Sequence, residues 1–334
     1  VQPPGNAAPE PAVPAAETAL PGLIWLDEGD AERRIAARAA AGELSAEEAA
    51  NLRKFAADGY LILRLGLSAA DAAAVDRDVD ALWQSRPADV AFAYDSPPRR
   101  FSEAVAARDR RPRYRIHELQ WASDVAMRLY LEPTLHRYAS LILGEKAIAT
   151  QSLYFEYGSQ QALHRDSVVV PTPEFGRLVA AWIALEDIAE ESGPLMYVPG
   201  SHRLPFYEFG PRQYLYDASR HSGADVDAAM AFYRAQLDEA GLSVEHFCAR
   251  RGEVLIWHSA LSHGGSPPSV PERTRKSFVV HFSALSSHPT RYSAVSEVVD
   301  GVGGETVFST SETVERGGAL GFTNPLRGEM LYRR

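Results

Sequence analysis

Cysteine is almost missing from this chain, with Cys248 alone among 334 residues. No intramolecular disulfide can form, and neither a Cys-rich zinc site nor an iron–sulfur cluster can be built. A lone thiol suits a reducing compartment, which predicts a cytoplasmic protein. Lysine is scarce as well, at three residues (Lys54, Lys146, Lys276), and 44 acidic groups outnumber 34 basic ones for a net charge of −10. That balance repels phosphate backbones and anionic lipid, so neither nucleic acid nor a membrane surface is the expected partner. No apolar run approaches the roughly 18 residues of a membrane span. No internal repeat is visible.

What is present is the composition of a globular protein, 46% hydrophobic and 23% charged, which excludes a wholly disordered or collagen-like chain. Residues 1–22 hold six prolines and no aromatic. They lack the charged and apolar stretches of a secretory signal and predict a disordered or polyproline-like leader, with one structured domain over 23–334. Two helices are expected next. Ser45-Ala-Glu-Glu48 is a capping-box pattern that opens the second, and Gly59 marks its end. Tyr60–Leu65 reads as a short buried strand. Ser68 opens a further helix whose apolar stripe is Ala73, Val75, Val79, Leu82 and Trp83. Residues 86–116, rich in Arg, Pro and Asp, predict an irregular excursion.

From about residue 147 the texture becomes β. Segments 147–157, 178–186, 194–199, 253–258 and 276–284 are runs of Val, Ile, Leu and aromatics bounded by Gly, Pro or Asp. Residues 203–250 interrupt them as a long insertion, helical around Asp225–Ala240. Helices followed by an antiparallel core over 147–284 define an α+β protein built on a sandwich or barrel.

The candidate chemistry lies in His164-Arg165-Asp166, followed 99 positions later by His263. In a strand, residues i and i+2 face the same way, so His164 and Asp166 can point together. Two imidazoles and one carboxylate form the facial triad that suits Fe(II) and leaves three adjacent coordination positions open. An isolated His-x-Asp is weak, since a turn cap or loop ion pair accounts for most of them. Arg275 follows His263 by twelve positions at the head of a core strand, where its planar fork can clamp a carboxylate; Arg273 competes for that role. His258 rivals His263 as third ligand but lies within the apolar run Leu255-Ile-Trp-His258. His202 suits turn geometry, and core packing is the default for His281. His-Arg-Asp also opens a kinase catalytic loop, but no Gly-rich loop, DFG or APE segment accompanies it.

Further segments join this pattern: Ala181-Trp182-Ile-Ala-Leu-Glu-Asp187, Ser192-Gly-Pro-Leu-Met-Tyr-Val-Pro-Gly-Ser-His202, Gly252-Glu-Val-Leu-Ile-Trp-His258 and His263-Gly-Gly265. With Phe55-Ala-Ala-Asp-Gly-Tyr-Leu-Ile-Leu63, they make most of residues 45–285 resemble the phytanoyl-CoA dioxygenase family of Fe(II)/2-oxoglutarate oxygenases. The resemblance implies a double-stranded β-helix, a cupin-like jelly roll with N-terminal helices packed on it. It implies Fe(II) on His164, Asp166 and His263, and 2-oxoglutarate on Arg275 with Trp182 beside it. O2 would be the co-reactant, succinate and CO2 would be released, and an unactivated C–H bond would be hydroxylated. Relatives that halogenate lack the carboxylate, so Asp166 favours hydroxylation; desaturation or ring closure is the alternative outcome. Where the family often has His-Gly-Ser, this chain has Gly265 and then Ser266, which becomes the candidate for that contact with 2-oxoglutarate.

The substrate is small or carrier-linked on this reading, and a cupin-like binding protein without turnover is the competing class. The opening of the insertion, Arg203–Tyr216, interleaves five aromatics with two arginines and predicts a substrate lid. Arg165, Tyr207, Arg212 and Tyr214 are its substrate-side candidates. A packed decoration with buried aromatics is the alternative.

Overall fold

The structure, a computed structural model, describes residues 23–85, 92–94, 110, 114–170, 172, 174–217, 220–287 and 312–323. The expected leader and most of the 86–116 excursion lie outside them. Helices α1 (Ala31–Ala40) and α2 (Ala46–Asp58) open the fold. The capping box at α2 forms as the sequence predicts: Glu48 N–H donates to Ser45 Oγ at 3.1 Å, and Ser45 N–H to Glu48 Oε2 at 2.8 Å. Gly59, at φ 79°, ends the helix in the left-handed region that a residue without Cβ enters freely. The chain turns at once into strand β1 (Tyr60–Arg64). Helix α3 (Ala69–Ser85) buries Val75, Val79, Leu82 and Trp83, while Ala73 of the expected stripe is exposed.

In the described part of the excursion, strands β2 (Phe92–Tyr94) and β3 (Tyr114–His117) pair with each other, and β3 pairs with β4 (Ala147–Phe155). Helices α4 (Asp124–Tyr130) and α5 (Pro133–Leu143) lie between β3 and β4. Then come the one-turn α6 (Asp166–Val169), β5 (Leu178–Ala184), β6 (Leu195–Tyr197), α7 (Gly223–Glu239) and β7 (Glu245–Phe247). Strands β8 (Glu253–His258), β9 (His263–Gly265), β10 (Ser277–Ala284), β11 (Glu312–Arg316) and β12 (Ala319–Thr323) complete the described chain.

Two sheets result. The large one runs β1-β8-β5-β10-β4-β12-β11, with β3 also on β4; the small one runs β7-β6-β9. Alternation along the strands sorts side chains between two cores. Tyr154, Val179, Ile183, Val254, Ile256, Phe278 and Phe282 face outward and meet the helices through Leu52, Phe55, Leu135 and Ile142. Leu153, Phe155, Trp182, Leu255, Trp257 and Val279 face inward against Leu195, Tyr197 and Phe247 of the small sheet. The sheet-rich α+β jelly roll is therefore present, and it takes strands from both sides of the expected 147–284 core.

Candidate metal centre

His164 makes an isolated antiparallel bridge with His263, with N–H to O distances of 2.9 and 3.0 Å in the two directions. Asp166 is not in a strand, contrary to expectation. Arg165 is extended at φ −118°, ψ 128°, and Asp166 begins the single turn of α6. One extended residue suffices to send the flanking side chains the same way, so the i, i+2 argument survives the change of element. Donor atoms of His164, Asp166 and His263 all lie within 4.8 Å of one another and could hold a metal ion.

The ring nitrogens are already assigned by their surroundings. His164 Nδ1 lies 2.9 Å from Ala162 O, and His263 Nδ1 lies 3.0 Å from Leu261 O. A carbonyl can only accept, so each Nδ1 carries a proton, and it is Nε2 that presents the lone pair whenever the ring is neutral. Those Nε2 atoms stand 3.7 and 3.6 Å from Asp166 Oδ1. The other carboxylate oxygen is occupied: Trp257 Nε1 donates to Oδ2 at 2.8 Å, and His281 Nε2 lies 3.6 Å from it. Burial pushes the Asp166 carboxyl up, but His263, His281 and His164 outweigh it and hold the group below the ordinary carboxylate range. Burial pushes His263 down to about 4 against the opposing pull of Asp166. At neutral pH His263 is a neutral imidazole beside a carboxylate, the protonation state a cation requires.

Arg275 and Arg273, rivals in the sequence, differ in placement. Arg273 is exposed, whereas Arg275 is 2% exposed with its Cζ 5.6 Å from the Trp182 ring. Among the described residues the one hydrogen bond of its side chain runs from Nη1 to Gly193 O at 3.4 Å, and no ion pair reaches it. Burial lowers its pKa to about 10, which leaves it charged at neutral pH. A buried guanidinium without a counter-ion is costly unless an anion arrives. Arg275 Nε and the Nε1 of the adjacent Trp182 are buried without a hydrogen-bond partner among the described residues, as are Ser266 Oγ and Ser277 Oγ. The dicarboxylate 2-oxoglutarate fits these unmet donors, and the His–Asp–His set fits Fe(II).

His258 faces the other way. Residue parity along β8 sends Trp257 inward and His258 outward, where its Nε2 meets Asp27 Oδ2 at 3.3 Å and its ring lies 6.2 Å from Phe55. His202 packs on His258, with ring centroids 5.3 Å apart. His281, read as core packing, stands instead beside Asp166. The sequence reading also overlooked Trp257 and Ser277; period-2 alternation from Val279 could have found His281 and Ser277, since all three share one face.

The candidates on the substrate side fare differently. Arg165 is wholly buried, with its guanidinium taken up by backbone carbonyls. Its side chain points opposite to its neighbours', with Nη1 donating to Leu204 O and Pro205 O and Nη2 to Ser201 O, each at 3.0 Å. Tyr207 lies against Phe209 and Phe232, at 5.0 and 5.7 Å between centroids, and its N–H donates to Tyr233 Oη. Tyr214 donates from Oη to Glu208 Oε1 at 2.9 Å and lies 5.5 Å from Phe175. Arg212 is exposed on a turn at φ 58°. The aromatics expected to form a stacking surface mostly pack on one another: Tyr207, Phe209, Tyr216 and Phe232 surround Val168, Ala229 and Tyr233 in a small core of their own.

Fold and site together define a cupin-like jelly roll that carries a His–Asp–His set able to hold a metal ion and a buried arginine with no ion pair among the described residues. The sequence profile of phytanoyl-CoA dioxygenase (PhyH) matches residues 55–276, and the chain belongs to that family of non-haem Fe/2-oxoglutarate dioxygenases. It is 26% identical over 138 residues to phytanoyl-CoA dioxygenase domain-containing protein 1 of Mus musculus, covering 40% of this chain and 44% of that protein. Against the peroxisomal phytanoyl-CoA dioxygenase of Bos taurus it is 23% identical over 163 residues, 47% of this chain and 45% of the other. The chain thus spans less than half the length of the curated relatives it matches. Among solved structures, the epimerase SnoN in complex with Fe3+, alpha ketoglutarate and nogalamycin RO shares the fold at a TM-score of 0.53 and 16% identity, covering 83% of this chain and 98% of that one. No helix among the described residues is long and apolar enough to cross a membrane.

Proposed function

We propose that this chain is an Fe(II)- and 2-oxoglutarate-dependent dioxygenase that hydroxylates an unactivated C–H bond of a small-molecule, saccharide or carrier-linked substrate, releasing succinate and CO2. One observation carries the reading: a convergent His–Asp–His donor set accompanies a buried guanidinium that has no anion partner among the described residues. His164 and His263 would hold the metal through Nε2 and Asp166 through Oδ1, which leaves three adjacent positions. When bound, the iron with 2-oxoglutarate and O2 supplies the oxidising chemistry.

The protein's own part is binding and geometry. Trp257 ties up Asp166 Oδ2, so the carboxylate offers one oxygen and cannot spread over a second position. Arg275 would take the far carboxylate of 2-oxoglutarate, with Ser266 and Ser277 hydroxyls available to the same group and Trp182 walling it from water. Residues 23–334 act as one oxygenase domain in this reading, since β1 and β12 join the same sheet from opposite ends of the described chain. The exposed free thiol of Cys248 fits the cytoplasm. SnoN is an epimerase by name on the same fold, so an outcome other than hydroxylation is the second reading; a product that gains one oxygen atom decides for the first.

The test is succinate formation from 2-oxoglutarate with Fe(II), screened across candidate substrates. Wild-type protein and His258→Ala should turn over, and His263→Ala should not. Retention in His263→Ala with loss in His258→Ala would reassign the third ligand. A folded, iron-loaded protein that makes no succinate with any substrate would favour a binding protein.

A further inference from the structure

The segment that bears two of the three metal donors faces two ways. His164 and Asp166 turn toward the metal centre, while Arg165 and Val168 turn into the 203–250 insertion. The Arg165 guanidinium donates to three carbonyls of the 201–205 stretch, those of Ser201, Leu204 and Pro205. It also lies 4.4 Å from the Tyr233 ring of α7 and 5.4 Å from that of Phe206. No carboxylate pairs with it among the described residues. A second tie comes from the insertion itself, where Tyr216 N–H donates to Val168 O at 2.9 Å. Both halves of the insertion therefore converge on one side chain placed between two donors.

We propose that Arg165 is a positioning residue that couples the insertion to the metal centre, so that the spacing of His164 and Asp166 depends on how the insertion is seated. The inference rests on the reading of the triad as a metal site. An apolar residue would fill the same space without the cost of burying a charge, and lysine lacks the planar fork that spans three carbonyls. Coupling of this kind is reciprocal: if the insertion holds the donors for the metal, bound metal must in turn order the insertion. The ligand segment has no freedom to shift on one side alone, because its alternate side chains are packed on both.

The experiment uses Co(II) alone as the probe, with the full chain, and follows two readouts: Co(II) affinity from its d–d absorption, and hydrogen exchange of residues 201–216 and 223–239 with and without the metal. Wild-type protein should show slower exchange in both segments when Co(II) binds. Arg165→Lys and Arg165→Met should bind Co(II) about 10-fold more weakly, in the lower range seen when supports of metal ligands are removed, and should lose the metal-induced protection. Should Arg165→Met fail to fold, Tyr233→Leu removes the stacking partner on α7 and should show the same two effects in weaker form. A residue with a merely structural role would lower the melting temperature with Co(II) affinity and protection unchanged, and that result overturns the proposal. Co(II) binding to wild-type protein with unaltered exchange in 201–216 overturns it too, while leaving the metal site intact. If wild-type protein binds no Co(II), the metal-centre reading fails and the coupling falls with it.

Discussion

At the scale of single residues, the site is organised by which polar atoms are matched and which are left over. Asp166 has one oxygen matched by Trp257 and one turned to the two imidazoles. Trp257→Phe keeps the inward bulk but removes that donor, so it should free Oδ2 and weaken Fe(II) binding by about 10- to 100-fold. Titration of the metal into both proteins checks this, and equal affinities would remove Trp257 from the site. Arg275 is unmatched in a desolvated position while Arg273 is exposed. Arg275→Ala should therefore raise the 2-oxoglutarate KM by the equivalent of roughly 2–5 kcal/mol, and Arg273→Ala should leave it near normal. Equal effects in the two variants would leave the carboxylate clamp elsewhere.

At the scale of elements, strand β9 is the tightest constraint on the centre, since it starts at His263 and pairs with β6. A Cβ added at Gly265 would lie 2.5 Å from Ser159 Oγ and 2.8 Å from the Gln160 N. That contact leaves a serine side chain at position 265 no room in this fold. Gly265→Ser should displace the strand, costing about 1–3 kcal/mol of stability and weakening metal binding with it. Gly223, at the start of α7, has nothing within 4 Å of its added Cβ, so Gly223→Ala serves as the neutral control. Denaturant midpoints and metal titrations of the two variants measure the difference.

At the scale of the whole molecule, buried histidines set the response to acid. Burial depresses His263 and His136 to about 4 and His202 to about 3, from an ordinary 6.5. Their folded values lie below the unfolded one, so on acidification the unfolded chain takes up protons first. Their stabilising contribution is therefore complete above about pH 6.5 and is lost as pH falls toward 3–4, at up to about 1.4 kcal/mol per pH unit for each proton. Urea midpoints of metal-free protein should be lower at pH 5 than at pH 7. A midpoint unchanged between them would mean that these imidazoles are not held neutral.

The sequence by itself determined the features that local chemistry controls. The Ser45 capping box, the Gly59 stop, the five main strands and the His164–Asp166–His263 set were all legible, because each depends on a few neighbouring residues or on a spacing matched to a known family. Tertiary structure alone decided what depends on register and on distant partners. Strands β2 and β3 are three and four residues long, too short to be legible by themselves, and β3 joins the sheet through the edge of β4. Trp257 meets Asp166 across 91 positions, and nothing local foretells it. His258 rivalled His263 as a ligand from sequence alone, and strand parity turns the first outward to Asp27 while the second joins His164 and Asp166. Arg165 sits between two candidate donors in the sequence, yet an extended backbone sends adjacent side chains in opposite directions, and the carbonyls of Ser201, Leu204 and Pro205 meet it on the other side.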